Sequence, residues 1–298
     1  MPSNINSFHK LAKSGIETPA SYLWTLLCSI LIFIFISFVY VKLVSWIGFP
    51  NNKNINLLLQ LVPFIIWLII FLPIASYFHK RSVKSLLTAK TKFQFRRMII
   101  VYFIMLLLTG SIDIINHLLG LQEYKFSFDY TQLIPLLLIS ISFLFLQSAS
   151  EEIFFRAYIL QAISSIPRTN VWFAILISSF LFAGLHLANP ENERYGYFIM
   201  FLSYVSVAIL FSIFTVLSNG LEIAIGLHAA NNFYGAVVVN YESSPLQTHS
   251  IFHLSTPNVW LIFIETLLLF LILFLIFRKL NWLESIKTLK TNSEYELS

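Results

Sequence analysis

The feature that most constrains this chain is a succession of apolar runs, each long enough to cross a bilayer. A helix rises about 1.5 Å per residue, so about 20 apolar residues span a hydrocarbon core about 30 Å thick. The period-2 alternation of a membrane β-barrel is absent from the sequence, and helices bond every backbone group internally. We therefore predict an all-α polytopic membrane helix bundle of about eight transmembrane helices, at residues 22–44, 57–78, 98–119, 133–163, 170–189, 196–217, 221–240 and 257–279.

The composition agrees with a protein that lies almost wholly in the membrane. Hydrophobic residues make up 57% of the 298 residues and charged residues only 11%, whereas a soluble domain carries about a quarter charged residues. The basic pI of about 9.2 does not require nucleic acid, because Lys and Arg mainly set orientation in such chains. We predict the lipid bilayer as a partner and no nucleic acid. The single cysteine, Cys28, cannot form an internal disulfide.

The distribution of charge between the apolar runs predicts the orientation. The loop 79–97 contains seven basic residues and no acidic one, so it should be cytoplasmic and have no role beyond topology. The weakly acidic loops 120–132 and 190–195 should face outward. A multi-pass protein of the cell membrane with both termini in the cytoplasm follows.

Three regions are predicted along the chain. Residues 1–132 hold the first three helices and the basic loop, residues 133–240 hold helices four to seven, and residues 241–298 hold the last helix and a polar tail. The ionisable residues that combine into a possible site lie in the second region.

Intramembrane ionisable residues are costly and indicate functional sites. Here each of three predicted helices carries two residues four positions apart, which places them on one helix face. These pairs are Glu152 and Arg156, Phe182 and His186, and His228 and Asn232.

Glu151 and Glu152 have different expected roles. Arg156 keeps its proton and needs an anion, which Glu152 can supply one turn away. That pair is either a buried structural ion pair or a direct part of the site. Glu151 points about 100° away from Glu152 around the helix. A carboxylate in apolar surroundings holds a proton more tightly than in water, which suits a general base, so we predict that Glu151 is catalytic.

His186 and His228 are either hydrogen-bonded core residues or parts of a site. Small residues flank both, and small residues let helices approach closely. They are Ala183 and Gly184 beside the first, and Gly226, Ala229 and Ala230 beside the second.

Glu, two His and Asn together can activate a water and stabilise an oxyanion. Glu151, His186 and His228 could alternatively bind zinc, because two His and one Glu form a known catalytic ligand set. However, the sequence has no HExxH helix to present two ligands from one turn. We predict that no cofactor is required and keep zinc as the alternative.

The stretches "EEIFFR", "FAGLH" and "HAANN", in this order, read EExxxR, FxxxH and HxxxN. Over about residues 133–240 the chain resembles the CPBP family (CAAX protease and bacteriocin-processing, also called Abi), which includes the type II CAAX prenyl endopeptidases. The resemblance implies an intramembrane protease that needs no metal. One departure is Ala157, where many members have Gly.

The resemblance also implies a role for each matching residue. Glu151 would activate the water, His186 and His228 would complete the site around that water, and Asn232 would stabilise the oxyanion. Glu152, Arg156 and Phe182 match the remaining motif positions and would support the site.

The expected substrate is a hydrophobic or lipidated peptide or protein, with peptide (bacteriocin) processing or self-immunity as a possible role. The alternative is a non-proteolytic membrane immunity or regulatory protein on the same scaffold. A transporter would need polar residues spread along a path across the membrane. The simple topology conflicts with a shared site, because it sets Glu151 and His186 at membrane depths about 15 Å apart. The sequence does not indicate an oligomeric state.

Overall fold

The computed structural model describes residues 7–48 and 52–285. Within these ranges, seven helices are long and apolar enough to cross a membrane, which confirms the all-α polytopic bundle. The first six residues and the end of the predicted polar tail, from residue 286, lie outside the described part. The side of the membrane that each terminus faces stays a prediction.

The twelve α-helices of the described residues begin and end as follows: α1 Pro19–Ile47, α2 Lys53–His79, α3 Lys84–Leu87, α4 Phe95–Leu118, α5 Tyr130–Ile139, α6 Phe145–Glu152, α7 Leu160–Ser165, α8 Val171–Leu185, α9 Pro190–Tyr195, α10 Tyr197–Ser218, α11 Glu222–Phe233 and α12 Val259–Lys279. Two short 3-10 helices, at Phe8–Ser14 and His186–Ala188, complete the helical segments together with three π-helical stretches.

The fourth predicted helix is a continuous span of 36 residues, Tyr130–Ser165. It consists of α5, α6 and α7 joined by π-helical stretches at Ser140–Leu144 and Ile153–Ile159. A π-helical stretch widens the helix locally, and such stretches frequently occur at functional sites. The two glutamates lie at the end of α6, immediately before the second stretch.

The predicted seventh span, at residues 221–240, is wrong. This segment forms the 12-residue helix α11, then a π-helical stretch at Tyr234–Val238, then a β-strand. A membrane span needs about 20 residues. Residues 221–230 are all buried against neighbouring helices, so the apolar character that resembles a membrane span reflects burial within the protein.

A small three-stranded sheet lies among the helices, which the sequence analysis did not predict. The strands are β1 Tyr124–Phe126, β2 Val239–Tyr241 and β3 Phe252–Leu254, in the order β1-β3-β2. β3 pairs antiparallel with β1, and β2 pairs parallel with β3. The sheet joins the loop before the fourth span to the segments on either side of residues 242–251, and so it holds the end of α11 in place.

Helix α11 lies at the centre of the apolar core. Its residues Ala224, Leu227 and Ala230 belong to a cluster with α4, α10 and α12, whereas Ile225 packs in a second cluster with α2 and α6. Gly226 makes the close approach to α4 possible, because a Cβ at this position would lie 2.6 Å from the carbonyl oxygen of Met98. The small residues beside His228 therefore have the packing role that the sequence analysis predicted.

Part of the basic loop is built into the interior. Arg81 is buried and its Nη1 donates to Gln161 Oε1 at 2.8 Å. Lys90 Nζ lies 3.6 Å from Glu222 Oε2, at the start of α11. The expectation that this loop has no role beyond topology is therefore wrong for Arg81 and Lys90, whose cations neutralise or satisfy buried polar groups.

Candidate active site

Glu151 and His186 lie at matching heights, which resolves the depth conflict. Glu151 precedes Ser165, the end of α7, by 14 residues, and His186 follows Val171, the start of α8, by 15 residues. At 1.5 Å per residue, both lie about 22 Å from the connecting loop 166–170. The expected gap is wrong because the two spans differ in length, 36 against 18 residues, so their centres do not share one depth.

Glu152 forms the buried centre of a charged cluster. Its Oε1 lies 3.1 Å from Arg156 Nη1 and accepts a hydrogen bond from His228 Nδ1 at 2.7 Å. Glu152 and Arg156 are both 0% exposed. A buried cation needs such a partner, because breaking a buried pair leaves an uncompensated charge. The pair also fixes the ring of His228, since Nδ1 carries the proton that Glu152 accepts and Nε2 is left as an acceptor.

Glu151 faces the other side of His228. Its Oε2 lies 3.7 Å from His228 Nε2, and its Oε1 accepts a hydrogen bond from Gln147 Nε2. The separation of 3.7 Å exceeds a direct hydrogen bond, which is about 2.7–3.2 Å. A water molecule can lie within hydrogen-bond distance of both atoms. The geometry therefore offers a carboxylate and an imidazole nitrogen to one water.

Asn232 lies one turn after His228 on α11 and faces the same site. Its Nδ2 donates to Ser148 Oγ at 3.1 Å and to Gln147 Oε1 at 3.3 Å. Ser148 in turn donates to the backbone carbonyl of Leu144 at 3.0 Å. The amide of Asn232 is thus oriented by two side chains of α6, Ser148 and Gln147.

The ring of Phe182 lies between His186 and the rest of the site and contacts both histidine rings. The ring of Phe182 lies 4.2 Å from the ring of His186 and 6.2 Å from that of His228, measured between centroids. The guanidinium carbon of Arg156 lies 4.3 Å from the centroid of Phe182. His186 Nδ1 bonds to the backbone carbonyl of Phe182 at 2.8 Å, so its Nε2 is the nitrogen left for substrate or water.

A buried carboxylate next to His186 lies outside the predicted motifs. Glu191, on α9, is 2% exposed and accepts hydrogen bonds from the hydroxyls of Tyr204 and Tyr241. The ring of Tyr204 packs on that of His186, with centroids 4.5 Å apart. Burial raises the pKa of Glu191 and raises that of Tyr241 well above its usual value. This cluster links the segment after His186 to strand β2, which follows α11.

One cavity of about 520 Å³ joins these groups. It is lined by the predicted residues Glu151, Phe182, His186, His228 and Asn232, together with Gln147, Asp113, Glu191, Tyr204 and Glu265. Glu152 and Arg156 do not line it, so they act behind His228. All seven predicted site residues are brought into one neighbourhood, five at the cavity wall and two behind it.

The alternative zinc site is not assembled in this geometry. In the residues described, no group of three His, Cys, Asp or Glu side chains lies close enough together to hold a metal ion. His228 Nδ1 and His186 Nδ1 both bond to protein acceptors, which leaves Nε2 of each ring as the nitrogen open to a ligand. Glu151 and His228 Nε2 face each other, but His186 does not complete a three-ligand set with them.

Sequence analysis missed Gln147, Ser148, Glu191, Tyr204 and Tyr241. Gln147 carried a signal, because it lies four residues before Glu151 and so on the same helix face. Glu191 was assigned to an outward loop, since nothing in the sequence indicates that two tyrosines 13 and 50 residues away donate to it.

Comparisons with known proteins agree with the motifs. Residues 133–234 match the family described as type II CAAX prenyl endopeptidase Rce1-like. The predicted family resemblance is confirmed for this segment. It includes Glu151, Glu152, Arg156, His186, His228 and Asn232.

A curated relative is the uncharacterized protein YyaK of Bacillus subtilis (strain 168), 30% identical over 170 residues. The match covers 55% of this chain and 55% of the relative, so the chain spans about half the length of the curated relative that it matches. No solved structure matches the chain.

Proposed function

We propose that this chain, which carries the Rce1-like family pattern over residues 133–234, is an intramembrane endopeptidase that hydrolyses a peptide bond in a hydrophobic or membrane-associated peptide. The observation that carries the proposal is the placement of Glu151 Oε2 3.7 Å from His228 Nε2 at the wall of the cavity. The family match and the helical bundle support a protease that acts at the membrane.

The proposed reaction begins with a water held between Glu151 and His228. Glu151 takes one proton from the water while the water oxygen bonds to the scissile carbonyl carbon. The carbonyl oxygen becomes an oxyanion and accepts a hydrogen bond from Asn232 Nδ2. The C–N bond then breaks as Glu151 transfers the proton to the leaving nitrogen, which gives a free carboxyl end and a free amine.

The remaining residues orient this machinery. Glu152 and Arg156 fix the His228 ring with Nδ1 protonated and Nε2 toward the water. His186 Nε2 faces the peptide beside Phe182. No step in this scheme uses a metal ion. Peptide maturation or self-immunity is the physiological role that we favour over cleavage of prenylated proteins.

Purified protein in lipid nanodiscs should be tested against fluorogenic peptides that include apolar, unmodified sequences and a prenylated C-terminal sequence. We expect cleavage by the wild type and a loss of at least about a thousandfold in kcat/KM for Glu151→Gln, because the general base and its water are lost. His228→Ala should lose a similar factor. The exposed Glu123→Gln is the matched control and should keep wild-type activity.

Three outcomes separate the alternatives. Activity that survives a strong chelator supports the scheme without metal, whereas chelator-sensitive activity restored by zinc contradicts it. Full activity of Glu151→Gln contradicts the assigned base. If the wild type cleaves no peptide and Glu151→Gln keeps its function in the host, the chain is a non-proteolytic immunity or regulatory protein instead.

A further inference from the structure

Gln147 lies between Glu151, the proposed general base, and Asn232, the proposed oxyanion donor. It lies one turn before Glu151 on α6, is 9% exposed and lines the cavity. Its side-chain amide contacts both Glu151 and Asn232. The three motifs do not include this residue, and the proposed reaction gives it no role.

The hydrogen-bonding chemistry allows only one orientation of the Gln147 amide. The Glu151 carboxylate only accepts hydrogen bonds, so it must face the NH₂ group of Gln147. The Asn232 NH₂ group only donates, so it must face the oxygen of Gln147, and the distance between these atoms is 3.3 Å. Turning the amide over would place oxygen against oxygen and nitrogen against nitrogen. The two contacts therefore reinforce each other.

Ser148 and Gln147, the two residues that accept hydrogen bonds from Asn232, differ in their access to a substrate. Ser148 is 0% exposed, does not line the cavity and lies 3.1 Å from Asn232 Nδ2. Gln147 lines the cavity and makes the longer contact. Without a substrate, Nδ2 of the Asn232 amide has two protein acceptors, Ser148 Oγ and Gln147 Oε1. A scissile carbonyl can approach Asn232 only from the cavity, which is the side that Gln147 occupies.

We propose that Gln147 is a positioning residue for the general base and for the oxyanion donor, an inference that rests on the proposed function of the site. Its Nε2 holds the Glu151 carboxylate in register with His228. Its Oε1 occupies, in the free enzyme, the Asn232 N–H that the scissile carbonyl oxygen takes over when substrate binds. Ser148 keeps the Asn232 amide in place during this exchange.

The two halves of the amide have opposite effects on the kinetics. The contact with Glu151 aligns the base for the chemical step, so its loss lowers kcat. The contact with Asn232 competes with the substrate carbonyl, so its loss does not raise KM and favours binding. A residue that merely fills space would affect neither parameter when it is replaced by a side chain of equal length.

The test is Gln147→Met, which keeps the unbranched shape and removes both hydrogen bonds. We expect kcat to fall about tenfold or more, as for a lost hydrogen bond to a charged group, with KM unchanged or lower. Gln147→Glu should lose more, because it places a second carboxylate against Glu151. The matched control is Gln161→Met on α7, which removes the buried bond to Arg81 and should lower the melting temperature but leave kcat unchanged.

Wild-type kinetics in Gln147→Met, or a rise in KM with unchanged kcat, would overturn the proposal. A second measurement does not depend on cleavage. A double-mutant cycle of thermal unfolding, with Gln147→Met and Asn232→Leu, should give a double variant less destabilised than the sum of the single variants, because the two residues share a contact. Additive changes would overturn the contact. If the wild type cleaves nothing, the proposed function fails, and the cycle still decides whether Gln147 and Asn232 are coupled.

Discussion

Helices α1 and α11 are both apolar, but they meet opposite surroundings. Helix α1 has 29 residues, and only 11% of its most apolar stretch is buried, so side chains such as Phe35 and Leu31 face outward. Helix α11 has 12 residues, and its first nine are all buried, including Glu222 and His228. Lipid accepts any apolar side chain of suitable length. The protein interior accepts a charged or polar one only with a partner at the right distance.

The comparison explains where chemistry can be placed in this protein. A carboxylate facing lipid would have no partner, and placing it at the centre of the bilayer costs about 3 kcal/mol. In the interior, Glu152 is matched by Arg156 and His228. The same helices that exclude lipid from α11 thus also supply the hydrogen bonds that keep its polar residues in place.

The largest change in the free energy of unfolding is expected at the buried ion pair of Glu152 and Arg156. Glu152→Gln keeps the shape of the side chain but leaves Arg156, 0% exposed, without its anion. We expect a loss of about 3–5 kcal/mol in the free energy of unfolding, because the buried cation is uncompensated. Denaturant unfolding in detergent micelles measures it. Lys42→Gln, at an exposed position of α1, is the control and should change stability by less than about 0.5 kcal/mol. Equal effects at the two positions would contradict the contrast.

A smaller effect is expected from a single methyl group. In Gly226→Ala the added Cβ would lie 2.6 Å from the Met98 carbonyl oxygen, so α4 and α11 must separate, at a cost of about 1–3 kcal/mol. In Gly184→Ala on α8, a Cβ meets no atom within 4 Å, and the gain in helix propensity should stabilise by about 0.5–1 kcal/mol. Melting temperatures of the two variants should therefore move in opposite directions. A destabilised Gly184→Ala would indicate a packing role that these contacts do not contain.

The smallest effect is expected at strand β2, which follows α11 and whose Tyr241 donates to Glu191. Tyr241→Phe removes one of the two hydroxyls that donate to buried Glu191, at a cost of about 1 kcal/mol. Tyr77→Phe, where the tyrosine is 77% exposed, is the control and should leave stability unchanged.

The pH dependence sharpens this last prediction. Burial raises the pKa of Glu191, so the stability that its proton contributes is present at low pH and is lost as the pH rises through the folded-state pKa. The tyrosine hydroxyl favours the ionised form. The penalty of Tyr241→Phe should therefore be larger above that pKa than below it. A penalty independent of pH would show that Glu191 does not titrate in this range.

The membrane class and the three motifs could be predicted because they depend on local properties. Hydropathy over about 20 residues identifies a span, and spacing of four residues places His228 and Asn232 on one face. The same argument places Gln147 on the same helix face as Glu151, since the two are one turn apart, but it does not predict the contact of Gln147 with Asn232. The error at residues 221–240 has the same origin, because a buried helix and a lipid-facing helix have similar hydropathy.

The sequence by itself determined an all-α membrane bundle and an EExxxR, FxxxH, HxxxN order of polar residues. Only the tertiary structure decided that Glu152 bonds to His228 Nδ1, that Glu151 faces Nε2, and that two distant tyrosines donate to Glu191. Periodicity reports which side of a helix a residue lies on, but not which helix it faces. That choice follows from close packing of small residues such as Gly226 and from the pairing of buried charges, both of which depend on residues far apart in the chain.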